Sequence, residues 1–188
     1  MLLSMAEREK PVTERRDATP AEFKAMAHPL RLRILRLCLH DALTNKQIAE
    51  RLGQDPATTL HHVRMLTRTG FLAPEPARTG ARGALEKPYR ATGKSWTLSV
   101  AGADELVTSF LAGLDALRAE LLDAGPDSIA YNSRLGLRLS PDELDELAAK
   151  LHQLVEEYRA RPPTPGGVSV GLFVTLHRQA PAEPTGDR

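Results

Sequence analysis

The stretch LTNKQIAERLGQDPATTLHHVRMLTRTG, residues 43–70, contains two short helical patterns separated by a glycine. Thr44 is placed to cap a helix over residues 45–52, and Gly53 is placed to end it. The second pattern begins at an Asp-Pro pair and predicts a helix over residues 56–68. Two short helices joined by a tight glycine-containing turn predict a helix-turn-helix unit.

Two further helices are predicted on the amino-terminal side of this unit. Thr19 precedes a proline and predicts the start of a helix over residues 20–27. A second helix, with apolar residues at helical spacing, is predicted over residues 29–41. Residues 1–18 are charged and aperiodic, so we expect a flexible tail.

The character of the chain changes after the second helix of the unit. Residues 71–73 have the composition of a short strand, and residues 74–83 form a loop rich in Pro, Gly and Arg. Residues 85–91 predict a returning strand. A hairpin with a basic tip directly after a helix-turn-helix predicts a wing, so residues 19–99 are interpreted as one winged helix-turn-helix domain.

A long helix with a regular apolar stripe follows over residues 100–124. Its apolar residues are spaced alternately by four and three, which is typical of a coiled-coil seam, and we interpret residues 100–125 as a dimerisation helix. The alternative is packing within one chain. The seam consists of Ala103, Val107, Phe110, Leu114, Leu117 and Leu121.

Residues 127–178 predict a separate β-α-β unit, followed by a solvated tail over residues 179–188. Leucines alternate over residues 135–139, an amphipathic helix follows over residues 141–160, and apolar residues alternate again over residues 168–176. The unit either forms an effector pocket or only supports the dimer. The expected fold class is therefore mainly α with a small β component (α+β).

Composition limits the possible functions. The net charge of the 188 residues is only +1, so any nucleic-acid contact requires positive charge concentrated on one surface. A single cysteine, Cys38, excludes an intramolecular disulfide and fits a reducing compartment. The chain has no apolar run long enough to cross a membrane, and no phosphate-binding glycine loop, nucleophile elbow or His-Glu-x-x-His segment. We expect a soluble cytoplasmic protein, without a cofactor, that is not an enzyme and has no membrane partner.

Basic residues concentrate on the second helix of the unit and on the wing, which predicts a contact with duplex DNA. No acidic residue lies between positions 56 and 69. Side chains early in this helix are expected to meet base edges, and those further along to meet phosphates. The predicted base readers are Thr58 and His61, the predicted phosphate contacts are Arg64 and Arg68, the predicted backbone braces are Lys46 and Gln47, and the remaining predicted contacts are His62, Arg78, Arg82, Lys87 and Arg90. For His62 the alternative is simple packing beside the preceding helix.

The order of these motifs resembles the ArsR family of bacterial repressors. The resemblance is carried by residues 27–35 (AHPLRLRIL), 43–49 (LTNKQIA), 57–66 and 70–72, and it covers about residues 20–100. It implies a homodimer joined through the first helix and the long helix after the wing. It also implies that the protein binds an operator and that an effector releases it from the DNA.

The resemblance does not extend to metal sensing. Thr44 and Lys46 stand where the best-known members carry cysteine ligands, and neither is a ligand for a soft metal. Residues 100–124 contain no histidine, so no metal site is expected on the dimerisation helix. Cys38 is interpreted as a buried thiol. The effector is therefore predicted to be a small molecule other than a metal.

The sequence predicts a sequence-specific DNA-binding transcriptional regulator, acting as a homodimeric repressor on double-stranded operator DNA. Two alternatives remain open at this stage. A winged-helix module that binds proteins would carry mixed or acidic charge on the second helix and wing. A non-specific architectural protein would bind DNA without a preferred sequence.

Overall fold

The computed structural model describes residues 15–80, 83–100 and 102–179. The chain divides into two compact units, one extending to Ile129 and the other beginning at Ala130. Within the described ranges, no helix combines the length and hydropathy that a membrane span requires. The predicted tail residues 1–14 and 180–188 lie outside the described residues.

The helix-turn-helix is formed as predicted. Helix α3 is Asn45–Leu52 and helix α4 is Pro56–Arg68. The Thr44 side chain accepts a hydrogen bond from the Gln47 N–H, which satisfies one of the donors that the first turn of α3 leaves without a helical partner. Gly53 ends α3 with a φ of 60°, a left-handed conformation that glycine adopts without steric cost.

Two helices precede this unit and pack on it: α1 is Pro20–Met26 and α2 is Pro29–Leu37. The predicted end of α2 near residue 41 is wrong. The Cys38 carbonyl accepts a hydrogen bond of 2.9 Å from the Ala91 N–H, and this contact joins the end of α2 to a strand instead of to another helical turn.

A small antiparallel sheet follows the helix-turn-helix. The strand predicted at residues 71–73 is confirmed with a shift of one residue, whereas the strand predicted at residues 85–91 is divided into two. The central sheet has the order β2–β6–β3, and β4 pairs with β5 in the outer part of the wing. These strands are β2 (Leu43–Thr44), β3 (Leu72–Pro74), β4 (Arg78–Thr79), β5 (Leu85–Glu86) and β6 (Pro88–Ala91).

Part of the predicted amino-terminal tail is ordered. Strand β1, Arg16–Asp17, pairs in parallel with β7, Leu98–Ser99. This corrects the predicted tail boundary at residue 18. It also explains why the long helix begins later than residue 100, because Leu98 and Ser99 are held in the β1–β7 pair.

A buried carboxylate ties this amino-terminal segment to the rest of the first unit. Glu22 accepts hydrogen bonds from Arg16 at 2.5 and 2.8 Å and from the Thr19 N–H at 2.8 Å. Lys94 lies 2.7 Å from the same carboxylate. Hydrogen bonds from Arg16, Lys94 and Thr19 hold the pKa of Glu22 far below its ordinary value.

The core of the first unit lies where α2, α3, α4 and the sheet meet. Cys38 belongs to it, and burial raises the pKa of its thiol to about 12. The buried apolar residues of this core are Ala25, Ile34, Cys38, Leu43, Ile48, Leu52, Val63, Leu66, Phe71, Leu72 and Leu98.

The long helix α5, Ala103–Ala124, packs on α2 through a narrow face of small residues. Ala112 and Ala116 are buried, and Arg36 forms an ion pair of 3.2 Å with Glu120. Because successive residues turn by 100°, Leu114 lies about 200° away from both alanines. The predicted seam therefore lies on the opposite side of α5 from α2.

In the second unit, the predicted helix is confirmed as α6, Pro141–Ala160. The predicted strands at residues 135–139 and 168–176 are wrong for the single chain, because neither segment forms part of a sheet in the described part of the chain. Alternation of apolar residues indicates a pleated backbone but does not supply a partner strand.

Gly53→Ala should lower the free energy of unfolding by about 1 kcal/mol, because a Cβ is strained at positive φ. No described atom lies within 4 Å of the added Cβ, so strain is the only cost. Gly53→Asn should cost less, since asparagine tolerates this conformation. Urea unfolding followed by circular dichroism measures both, and equal losses for the two variants would contradict the explanation.

Candidate nucleic-acid interface

Helix α4 separates a buried face from an exposed one. Thr59, Val63 and Leu66 are buried against the core of the first unit. The opposite face carries four of the five residues of α4 for which we predicted contacts with DNA, and all four are exposed: Thr58, His61, Arg64 and Arg68. The helix therefore presents two arginines and a histidine to solvent and no carboxylate of its own.

The amino terminus of α4 is occupied by its own cap. One carboxylate oxygen of Asp55 accepts hydrogen bonds from the Ala57 N–H at 2.9 Å and the Thr58 N–H at 3.0 Å. The Asn45 side-chain amide donates to the Pro56 carbonyl at 2.9 Å and ties the first turns of α3 and α4 together. Because Asp55 occupies two of the free donors, an anion has to be held by side chains further along α4.

Unlike the other predicted DNA contacts on α4, His62 does not lie on the exposed face of the helix. Its side chain is buried, with its ring centroid 4.7 Å from that of His28. Its Nδ1 lies 3.4 Å from Nη1 of Arg31, and Nε of the same arginine donates to the Ala25 carbonyl at 2.7 Å. His62 therefore packs α4 against the junction of α1 and α2 and does not belong to the exposed face of the helix.

An open groove of about 540 Å³ lies beside the exposed face of α4. One wall is formed by α4 and the other by Lys87 and Tyr89 of the wing. Arg64, Arg68 and Lys87 line the groove, and no acidic residue in the described part of the chain does. Three cationic groups around an open concave surface can bind phosphate oxygens of a nucleic-acid backbone.

The other wing residues that were predicted to contact DNA differ in how strongly neighbouring groups already hold them. Arg78 is exposed and lies 3.6 Å from Glu86, a surface pair that contributes little to stability. Arg82 lies outside the described residues. Arg90 is held by Glu75 and donates to the His40 carbonyl at 2.5 Å, so its first role is to fasten the sheet to the end of α2.

Lys46 and Gln47 of α3, which were predicted to contact the DNA backbone, also differ in their contacts within the protein. Lys46 is exposed, and its Nζ lies 3.8 Å from a carboxylate oxygen of Glu50. The Gln47 side-chain oxygen accepts the Thr44 N–H at 2.9 Å and closes the capping box of α3. Gln47 is thus committed to the helix start, whereas Lys46 remains in reach of solvent.

Three groove residues were not predicted from the sequence. Tyr89 comes from β6, and Leu60 and Thr67 come from α4. Tyr89 could have been found from the sequence, because it lies two residues after Lys87. In an extended chain, side chains two residues apart lie on the same face. The Lys87 Nζ lies 6.0 Å from the Tyr89 ring centroid.

Comparison with known proteins agrees with the architecture of the first unit. A family model described as "Helix-turn-helix domain" matches residues 26–75, from the end of α1 through β3. No curated protein matches the chain.

Several solved structures are similar to the chain at low identity. The transcriptional regulator SlyA is 17% identical over 68% of this chain and 72% of its own, with a TM-score of 0.29. MepR, a transcription regulator of the Staphylococcus aureus multidrug efflux pump MepA, is 17% identical over 71% of this chain and 78% of its own, with a TM-score of 0.28. A mutant of S. aureus MepR bound to an oligodeoxyribonucleotide is 19% identical over 71% of this chain and 78% of its own, with a TM-score of 0.31.

The buried His62 should make stability depend on pH. Desolvation, with the nearby His28 and Arg31, lowers its pKa from 6.5 to about 4. Between these values the unfolded chain binds more protons, so the unfolding free energy should be largest above pH 6.5 and fall as the pH falls toward 4, by up to about 3 kcal/mol. Chemical unfolding across this range measures the slope.

The matched controls for this prediction are two neighbouring substitutions. His62→Gln keeps an acceptor for Arg31 but does not titrate, so it should make the slope clearly less steep. The part contributed by His28, whose pKa burial also lowers, should remain. His61→Gln changes the exposed neighbour and should leave the slope as it is. An equal slope in all three proteins would remove His62 as its source.

Proposed function

Because the chain contains a helix-turn-helix domain, with cationic side chains on the open face of its second helix, we propose that it is a DNA-binding transcription regulator. The observation that carries the proposal is the groove lined by Arg64, Arg68 and Lys87. Duplex DNA carries one negative charge per about 1.7 Å of axis, so a surface with three cations and no facing carboxylate attracts it.

Within this function, different residues are proposed to have different roles. Thr58 and His61 lie in the first two turns of α4, the part of a recognition helix that reaches base edges in the major groove. Arg64 and Arg68 bind phosphates, together with Lys87 from the wing. Arg78 and Lys46 add positive charge at the periphery.

We further propose a homodimer joined through α5. The seam is not used for packing on α2: Val107 is 56% exposed, and Leu114 and Phe110 are each 36% exposed. A twofold pair of chains places two recognition helices in successive major grooves, about 34 Å apart. The resemblance to ArsR repressors supports the same dimer and a repressor released by an effector, and Thr44 and Lys46 at the cysteine positions favour a non-metal effector.

Selection from a random pool of duplex DNA tests the proposed function. We expect enrichment of a near-palindromic sequence with half-sites about 10 base pairs apart. Salt-sensitive binding without enrichment would instead indicate an architectural DNA-binding protein. Failure to bind duplex DNA at low salt would contradict DNA binding and favour the protein-interaction alternative.

Arg64→Ala should weaken binding to specific and random duplexes alike, because a phosphate contact carries no sequence information. The slope of log K against log salt should become less steep by about 1 for each protomer bound. Fluorescence anisotropy at several salt concentrations gives the slope. Arg159→Ala, the same charge change at an exposed position on α6, is the control and should leave the slope unchanged.

Leu114→Glu should dissociate the dimer, because it places an unpaired carboxylate inside the proposed seam. One such charge costs roughly 3 kcal/mol and the dimer contains two, so the dimer dissociation constant should rise by at least about 100-fold. Thr108→Glu introduces the same group at an exposed position of α5 that lies away from the seam and should have little effect. Sedimentation velocity measures both, and equal dissociation in the two variants would argue against the seam.

A further inference from the structure

The second unit leaves an unusual amount of apolar surface in contact with solvent. We define the first arm as residues 135–139, before α6, and the second arm as residues 168–176, after it. Eight apolar side chains alternate along the two arms, and their exposed fractions range from 39% to 89%. Isolated exposed leucines are ordinary on a protein surface, but a continuous alternating row indicates a face that is covered in the working assembly.

The first arm lies close to the residues that follow the second arm, but the described residues of the two arms form no sheet. A Cβ at Gly136 would lie 3.9 Å from the side-chain nitrogen of Gln179, three residues after the second arm. No backbone hydrogen bond joins the first arm to another segment in the described part of the chain. The main chain of this arm therefore presents donors and acceptors that a further strand can bind.

The helix between the arms does not cover their apolar side chains. Leu144, Leu147, Leu151 and Val155 of α6 are half-buried, whereas Leu154 is 50% exposed. The most exposed arm residues are Val168 and Val170 at the start of the second arm. The unit thus has one helix and the pattern of two strands, but lacks the layer that would bury the strands.

The exposed apolar surface of the arms is a large part of what a contact with a second copy needs. Full burial of one aliphatic side chain removes on the order of 60–120 Å² from water. Scaled by their exposed fractions, the eight side chains offer on the order of 300–600 Å² per protomer. A stable interface needs roughly 800 Å² per partner, and the paired main chain of the arms and the proposed seam of α5 supply the remainder. In a twofold contact the same alternating row faces itself, so apolar positions meet apolar positions without a second matching sequence.

We infer that the arms of one protomer pair as β-strands with the arms of a second copy of this chain, so that the two second units form one shared sheet. This inference rests on the homodimer proposed above. Joining the chains through α5 raises the local concentration of the second units and favours their pairing. The predicted β-α-β pattern is then realised between protomers rather than within one, and its role is to complete the dimer.

Amide hydrogen exchange on the full-length protein tests this pairing. At concentrations above the dimer dissociation constant, the amides of residues 135–139 and 168–176 should exchange at least tenfold more slowly than in the dilute monomer. Rapid exchange of both arms in the dimer would overturn the inference. Equal protection in the dilute monomer would also overturn it, because the pairing would then lie within one chain.

A matched pair of substitutions separates pairing from general damage. Val170 is 79% exposed in the single chain, so Val170→Glu should leave the monomer folded and raise the dimer dissociation constant at least tenfold. Ser169→Glu, on the alternate side of the arm, should change it less than threefold. Equal effects of the two variants would contradict the assigned face.

The outcomes distinguish this inference from the proposed function. A dimer that binds duplex DNA but has rapidly exchanging arms would refute the shared sheet alone. A protein that remains monomeric at all concentrations would refute the shared sheet and the α5 dimer, whereas the Arg64→Ala salt slope would still report on DNA binding. Arms that are protected in a dimer without affinity for duplex DNA would support the sheet and refute the proposed function.

Discussion

The 3.6-residue period of α4 is the constraint on which the described site depends. Thr59, Val63 and Leu66 are fully buried on one side of this helix, and Val63 and Leu66 belong to the apolar core. Once they are buried, the positions on the opposite side of the helix, His61, Arg64 and Arg68, necessarily face outward. Burying a guanidinium without a partner is costly, so Arg64 and Arg68 reinforce the same rotation of the helix. The groove therefore follows from the packing of α4 and the wing strand that bounds it.

Helices whose ends are marked by nearby residues in the sequence could be predicted. Thr44, Gly53 and Asp55 mark ends of helices within a few residues of the chain, and the predicted bounds of α3 and α4 agree with the structure. The contacts that were missed join distant residues. Strand β1 pairs with residues more than 80 positions away, and β2 exists only because β6 returns beside it. A two-residue strand has no periodicity to detect.

The same distinction holds for the site. The exposure of Thr58, His61, Arg64 and Arg68 follows from helical spacing alone, so sequence reasoning placed them correctly on one face. Spacing cannot show which side chains are engaged by distant partners. His62 is buried by His28 and Arg31, and Arg90 is held by Glu75 and the His40 carbonyl. The arms of the second unit are the extreme example, because their strand pattern forms no sheet among the described residues of the single chain.

The buried thiol of Cys38 has a practical consequence. Only the thiolate reacts with maleimides, and a pKa of about 12 leaves about one molecule in 10⁵ in that form at pH 7. The natural protein thus already serves as an unreactive background for fluorescent dyes. A single cysteine introduced on an exposed helix would be labelled selectively, without first replacing a core residue. Energy transfer between two such dyes can then follow the separation of the recognition helices in solution.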